Sequence, residues 1–457
     1  MTLSVINPYD QSVYRTLAFD TPAEVEAKVQ AAKAATENWR KVPLAERIET
    51  VRNALDYFRT HEAAIAESIT GQMGKPITAS HNEIAGLFER AGHMLSIAED
   101  TLAPEILPLK DHLHRRIERE PLGVVLNIAA WNYPLLIAVN VVVPALVAGN
   151  SVLLKHSAKT PLCGEHFQAA FSHVPGLVTH LVLSHDQTLD LIRDARIDHV
   201  VFTGSVAGGR HIHQAAAGRF IDVGLELGGK DPAYVAEDAD LGFTVPHVVE
   251  GALYNAGQSC CAVERVYVHR RVYDAFLEQA VEAMSHFQPG DPMDRRTTLG
   301  PLTDPAALDV LDGQVRDALR RGARLMVGGR RLEGATGNFY LPTLLADVDG
   351  YAEVMQEESF GPLLPVRAVD GDMDALAQMN ASRYGLTASV WTRSRERAEW
   401  FAARLHAGTI YQNRCDYLDP GLPWTGVKDS GRGSSLSRYG YYCLTRPKSI
   451  HFREGPG

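Results

Sequence analysis

Cysteine is scarce in this chain, with five in 457 residues. Cys163, Cys260, Cys261, Cys415 and Cys443 make no Cys-x-x-Cys pair and show no His-rich metal spacing, so no metal site is expected. An odd number cannot all pair internally, and so few do not make a disulfide framework. Long basic runs are missing too. The formal net charge is −10, which argues against nucleic acid or an anionic membrane as the main partner. The first residues, Met1-Thr2-Leu3-Ser4-Val5-Ile6-Asn7-Pro8, lack a basic start followed by an apolar core. No signal peptide is therefore read, and a reducing cytoplasm is the expected location. Leu135 to Leu154 is apolar over nearly the length of about 20 residues that a bilayer requires. Asn140, Pro144, Gly149 and Asn150 interrupt it, and it reads as a buried helix, turn and strand.

What is present is the alternation of an α/β protein. The chain is too long for one ordinary core, so two or three domains are expected. Thr21-Pro22-Ala23-Glu24 has the parts of a capping box, and the spacing of Val25, Val29, Ala32 and Trp39 predicts a helix from there. Leu44 to Phe58 and Glu83 to Ile97 repeat the amphipathic pattern on either side of a break at Gly71 to Pro76. Leu113 to Glu120 is charged and alternating, which suits an edge strand leaving the domain. From Leu122 strands and helices alternate: strands are predicted at Leu122 to Ala129, Ser151 to Lys155, Leu177 to Leu183, Asp198 to Phe202 and Phe220 to Leu227. That order implies a doubly wound, mainly parallel sheet, which binds ligands at the carboxyl ends of its strands. After Lys230 a helix-like pattern leads to Gly257. Further α/β units begin at Arg265 to Val268 and Arg324 to Val327.

Four places have the residue types for chemistry. Gly257-Gln258-Ser259-Cys260-Cys261-Ala262 presents two thiols in a turn, where a thiol can be a nucleophile, a ligand or a small buried hydrophobe. Glu226, before Gly228-Gly229-Lys230, can take a proton from a thiol or from water, or merely cap a turn. Asn132 ends a strand and can donate to an oxyanion, or simply form the turn before Tyr133-Pro134. Thr203-Gly204-Ser205 follows a strand and opens a helix whose N-terminus can hold a phosphate, although such turns are common without a ligand.

Taken together, the strings resemble the aldehyde dehydrogenase superfamily nearly end to end. They are Glu120-Pro121-Leu122-Gly123, Trp131-Asn132-Tyr133-Pro134-Leu135, Pro144-Ala145-Leu146-Val147-Ala148-Gly149-Asn150, Phe202-Thr203-Gly204-Ser205 and Leu225-Glu226-Leu227-Gly228-Gly229-Lys230. Gly257-Gln258-Ser259-Cys260, Glu357-Glu358-Ser359-Phe360-Gly361-Pro362 and Gly426-Val427-Lys428-Asp429-Ser430-Gly431 complete the series, in order. The resemblance implies NAD(P)-dependent oxidation of an aldehyde to an acid. Cys260 matches the nucleophile, Glu226 the base and Asn132 the oxyanion donor, with Cys261 left as a neighbour in the wall. Gly204 and Ser205 match the pyrophosphate site, Lys155 and Glu358 the ribose contacts, and Phe360 a residue near the nicotinamide, with Trp131 also on the cofactor side. Lys230 lies in the catalytic motif but is read as structural. The fold implied is a Rossmann-like cofactor domain (residues 1–101 and 121–227), an α/β catalytic domain (228–440) and a β oligomerisation arm (102–120 and 441–457). A homodimer or homotetramer follows from that arm.

Two departures shift the expectation. Many NAD-preferring members carry a carboxylate three residues after the lysine, where this chain has Ala158 followed by Lys159. Loss of that charge, with Lys159 or His156 available to a 2′-phosphate, favours NADP or dual use. At the substrate mouth, Asn140 and Arg414 suggest a polar or carboxylate-bearing aldehyde such as a semialdehyde; the plainer alternative leaves Arg414 in solvent and an ordinary aldehyde in the tunnel. A CoA-acylating dehydrogenase is opposed by the retained Glu226. A Cys-Glu thioesterase without redox chemistry is opposed by the nucleotide-contact residues, and a non-catalytic relative by the intact Cys260, Glu226 and Asn132.

Overall fold

Alternate residues of one strand, Val124–Ala129, point into two separate cores, and the first half of the molecule is built around it. Val125 and Ala129 join the core made with the helices Leu44–Ala54, Glu62–Met73, Ile77–Ser96 and Pro134–Ala148. Val124, Leu126 and Ile128 join the core on the other face with Val29, Leu191 and Ile212. This is the strand period of two, with both faces covered, as parallel sheets require. The protein is described by a computed structural model over residues 2–110, 112–453 and 455.

The first large sheet runs Gly431–Arg432, Val223–Glu226, His199–Thr203, Val124–Ala129, Ser151–His156, Val178–His180, with only the first of these antiparallel to its neighbour. From the central strand the chain winds outward to Val178–His180, then returns to the other side at His199–Thr203. The order therefore reverses between Val124–Ala129 and His199–Thr203. Trp131-Asn132 and Gly204-Ser205 follow the carboxyl ends of those two strands, where such sheets bind ligands.

The chain then passes from Glu226, the last residue of the strand Val223–Glu226 in the first sheet, to Asp231, the first residue of a strand in another. This second sheet runs Arg324–Val327, Thr343–Ala346, Leu363–Val369, Val263–His269, Asp231–Val235, Thr387–Trp391, Thr409–Gln412 and is parallel apart from its first strand. Lys230, Cys260 and Phe360 lie just before the amino ends of three of its strands. The Nδ2 of Asn132 donates to the Gln258 carbonyl at 3.2 Å, so the carboxyl end of the first sheet meets the amino end of the second.

Several sequence expectations are corrected. The segment after Lys230 is not helical at first: Asp231–Val235 is a fully buried strand, and the helix Leu241–Leu253 follows it. The predicted strands at Leu177 to Leu183 and Phe220 to Leu227 shorten to Val178–His180 and Val223–Glu226. Leu113–Pro121 is no edge strand but the middle of a three-stranded sheet, between Thr445–Arg453 and Glu105–Lys110. The capping box at Thr21 is formed, and Leu135 to Leu154 is the helix Pro134–Ala148, a turn and the strand Ser151–His156. Among the described residues no helix is long and apolar enough to cross a membrane.

Candidate active site

Three consecutive residues before the paired cysteines hold a left-handed backbone: Asn255 at φ 54°, Ala256 at 56° and Gly257 at 72°. Asparagine and glycine tolerate this region, whereas an alanine there costs about 1–2 kcal/mol. At Gly257 an added Cβ would lie 2.2 Å from the Gly361 carbonyl oxygen, so only glycine fits. Side chains fix the turn. Asn255 Nδ2 donates to the carbonyls of Asn132 and Gln258, both at 3.2 Å. Gln258 donates to the Asn255 carbonyl at 3.1 Å and accepts from the Thr303 N–H at 2.9 Å. The strained turn sets Cys260 on the wall of a cavity of about 840 Å³ that is also lined by Asn132, Thr203 and Glu226.

Asn132 is positioned by groups that the sequence reading missed. Its carbonyl accepts from Lys75 Nζ at 2.8 Å, and Lys75 is fully enclosed and paired with Glu83. Glu83 in turn accepts from the Leu135 N–H at 2.8 Å, placing its charge at the N-terminus of the helix Pro134–Ala148, where an anion is favoured. Glu226 accepts from Ser435 Oγ at 2.5 Å and from Thr203 Oγ1 at 3.5 Å. Burial raises its pKa above the usual carboxylate range, while the Ser435 bond and the Arg90 charge pull it partly back. A carboxylate tuned upward is a better proton acceptor near neutral pH.

The two thiols differ. Cys261 is buried and donates to Asp416 Oδ1 at 3.1 Å, beside Ser259 Oγ at 2.9 Å. Its hydrogen bond with Cys260, then burial, push its pKa well up, so it stays a protonated donor. Burial also pushes Asp416 up to about 6. Cys260 is only half-buried.

On the other side of the switch point, Lys155 is 6% exposed and its ammonium has no hydrogen-bond or ion-pair partner among the described residues. Burial lowers its pKa to about 8. Ser205 caps the helix Val206–Ala216, accepting from the Gly208 N–H at 3.1 Å, and the Gly204 N–H donates to the Glu226 carbonyl at 3.0 Å. Glu358 accepts from the Gly229 N–H at 3.0 Å; burial, then the Glu264 charge, raise it to about 8. Glu264 also accepts the N–H groups of Ser359 (2.8 Å) and Phe360 (3.0 Å), and Lys230 binds both Glu264 (2.6 Å) and Ser359 Oγ (2.9 Å). Lys230 thus braces the loop carrying Phe360, whose ring meets Trp131 edge-on at 5.5 Å between centroids. Ala158 is exposed. Lys159 pairs with Asp304 at 2.6 Å. His156 is removed from the list of phosphate partners: it is 2% exposed, bonded to the Pro134 carbonyl at 3.0 Å, and burial lowers its pKa to about 4.

A family model, the aldehyde dehydrogenase family, matches residues 1–450. The chain belongs to the aldehyde dehydrogenase family. It is 35% identical to an aldehyde dehydrogenase of Paenarthrobacter nicotinovorans, over 98% of this chain and 99% of that one. It is also 35% identical to the NADP(+) succinate-semialdehyde dehydrogenase of Deinococcus radiodurans, over 98% of this chain and 94% of that one. The crystal structure of lactaldehyde dehydrogenase from Escherichia coli superposes with a TM-score of 0.95 at 31% identity, covering 99% of this chain and 96% of that one. The chain is accordingly an NAD(P)-dependent oxidoreductase acting on aldehydes.

At the substrate end, the expected pair Asn140 and Arg414 are not equivalent. Arg414 lines the cavity at its exposed side, as expected, and stacks on Tyr417, its guanidinium 3.6 Å from the ring centroid. Asn140 is buried and accepts from a residue the sequence reading passed over, Arg90, at 3.2 Å. Arg90 lines the cavity at 9% exposure, and its hydrogen-bond acceptors are neutral: Asn140 Oδ1 and, at 3.4 Å, the Leu136 carbonyl. Its signal was available, because Glu83, Leu87, Arg90 and Met94 share one buried stripe of the helix Ile77–Ser96.

Proposed function

We propose that this aldehyde dehydrogenase oxidises a carboxylate-bearing aldehyde, with Cys260 as nucleophile, Asn132 as oxyanion donor and Glu226 as base. The supporting observation is that these three side chains and Arg90 line one cavity. A buried guanidinium whose hydrogen-bond acceptors are all neutral is costly; the charge of Glu226 offsets part of that cost, and an anionic group of the substrate offsets more. Arg90 faces the cavity where Cys260 stands, so a carboxylate at the far end of the substrate fits it. The Deinococcus relative named above acts on a semialdehyde by its name.

The Cys260 thiolate attacks the carbonyl carbon; a C–S bond forms, and the displaced electron pair moves to oxygen. Asn132 Nδ2 and the Cys260 backbone N–H stabilise that oxyanion. NAD(P)+, when bound, supplies the hydride acceptor that turns the tetrahedral adduct into a thioester. Glu226 then takes a proton from water, the hydroxide adds to the thioester carbon, and the C–S bond breaks to release acid and return the Cys260 thiolate. Ser435 and Thr203 hold the Glu226 carboxylate for that step. For the cofactor, the unpartnered, buried Lys155 is the observation that fits a hydroxyl-rich ligand. Lys155 and Glu358 would hold ribose, Gly204 and Ser205 the pyrophosphate, and Trp131 and Phe360 the nicotinamide side. Ala158 places no charge against a 2′-phosphate, so NADP or dual use is proposed.

The assembly is proposed to be a cytoplasmic homodimer or homotetramer. The three-stranded sheet supports this, since both of its edge strands expose apolar side chains: Ile106 at 71%, Leu109 at 64% and Phe452 at 58%. The test of the function is a panel of neutral and carboxylate-bearing aldehydes with both cofactors, run beside Cys260→Ala. Activity of that variant near wild type would overturn the assignment.

A further inference from the structure

Asp416 lines the cavity with Cys260, yet no step of the reaction above uses it. One oxygen of its carboxylate, Oδ1, accepts from Ser259 Oγ at 2.9 Å and from Cys261 Sγ at 3.1 Å, and the two donors are themselves 3.5 Å apart. Ser259 and Cys261 are the residues on either side of Cys260. The turn is already anchored before them by Asn255 and Gln258, and after them by the strand Val263–His269. What those anchors leave free is rotation of the peptide groups around Cys260. The two bonds to Asp416 remove it.

Stability is given up to put a carboxylate there. Asp416 has a left-handed backbone, φ 45°, which a residue other than glycine keeps only where its surroundings impose it. Asn413 bonds the N–H and the carbonyl of Thr392, both at 2.9 Å, and the Tyr411 hydroxyl donates to the Tyr417 carbonyl, so the loop is held on both sides of Asp416. The donors to the carboxylate are a hydroxyl and a thiol, both neutral. Lys75, whose charge reaches it, is already paired with Glu83, and Glu250 repels it. A strained carboxylate raised by burial to about 6 belongs where a site needs an acceptor, since it completes no ion pair for the fold.

We infer that Asp416 is a positioning residue for the nucleophile: by holding Ser259 and Cys261 on one oxygen, it fixes the direction of the Cys260 thiol and of the Cys260 N–H. This rests on the role of Cys260 proposed above. Cys261 then serves as a donor in the clamp, which removes it as a rival nucleophile.

Asp416→Gly deletes the carboxylate and tolerates the left-handed backbone, while Asp416→Asn keeps that backbone and a neutral acceptor oxygen. The readout is the rate constant of NAD(P)H formation in a single turnover of the full-length enzyme with saturating butanal, which reports C–S bond formation and hydride transfer before hydrolysis. It should fall roughly ten- to a hundredfold in Asp416→Gly, the order that a misplacement of up to 1 Å costs, and less in Asp416→Asn, with NAD(P)+ affinity unchanged. Cys261→Ala should slow the same step, and Cys261→Ser, which restores a donor, should recover most of the loss. With Ser259→Ala and Cys261→Ala combined, Asp416→Asn should cost nothing further. A wild-type rate in Asp416→Gly, whatever its thermal midpoint, would overturn the inference, as would a loss confined to succinate semialdehyde, which would put the carboxylate on the substrate. If Asp416→Gly does not fold, equal rates in Cys261→Ala and Cys261→Ser would overturn it instead. Turnover by Cys260→Ala would overturn the proposed nucleophile and this inference together.

Discussion

Arg90→Met removes a charge that the fold alone gives little reason to keep. The methionine preserves much of the apolar stem, while the guanidinium and its desolvation cost disappear. Burial already disfavours the charged form of Arg90, and its acceptors, Asn140 and the Leu136 carbonyl, are neutral. Losing the charge relieves a penalty, but Asn140 Oδ1 is left unpaired at about 1–3 kcal/mol. The two effects oppose, so the thermal midpoint should hold within a few degrees. Catalysis should not hold. Removing one partner of a desolvated, hydrogen-bonded charge pair costs about 2–5 kcal/mol, which is roughly 30-fold to several thousand-fold. Steady-state kcat/KM for succinate semialdehyde should fall by that factor, while butanal, which has the same carbon chain without the carboxylate, should show only the smaller loss that follows from the effect of the Arg90 charge on Glu226. Equal losses on both aldehydes, or full activity on the anionic one, would refute the role given to Arg90.

Two further outcomes concern pH. Ser435→Ala deletes a donor to the carboxylate form of Glu226, so the acid limb of thioester hydrolysis should move to higher pH; a pH–rate profile with an unmoved limb would refute this. His199 is buried, its Nδ1 has no partner among the described residues, and burial holds its pKa at about 4 against the ordinary 6.5. Its stabilising contribution is complete above pH 6.5 and is lost as pH falls towards 4, because only the unfolded chain takes up the proton. Urea titrations should show wild type losing about 1.4 kcal/mol per pH unit more than His199→Gln between pH 6 and 4.5, and parallel pH dependences would contradict it.

The reacting residues were legible because short, local strings carry them: a Gly-led turn before Cys260, a strand ending at Glu226, a strand ending before Asn132. What escaped was long-range pairing. Lys75 finds the Asn132 carbonyl 57 residues away, and Ser435 finds Glu226 across 209. No spacing rule brings such partners together; the meeting of two sheets does. Arg90 was the exception, since a charge on the buried stripe of an amphipathic helix is visible in the periodicity. Asp231–Val235 was missed because a strand buried on both faces has no alternation to read, and Pro232 weakened its propensity. Leu113–Pro121 was taken for an edge because it is charged. Its charges mark solvated faces of a thin sheet instead, and backbone pairing continues on both sides.

The most direct test of the chemistry at Cys260 is a single-turnover experiment with Glu226→Gln. Without the base, the thioester should form and persist. Mixing this variant with aldehyde and NAD(P)+ should give a burst of about one equivalent of NAD(P)H per active site. Mass spectrometry of the quenched protein should then find the acyl group on Cys260. An absent burst, or an acyl group carried by Cys261, would contradict the mechanism.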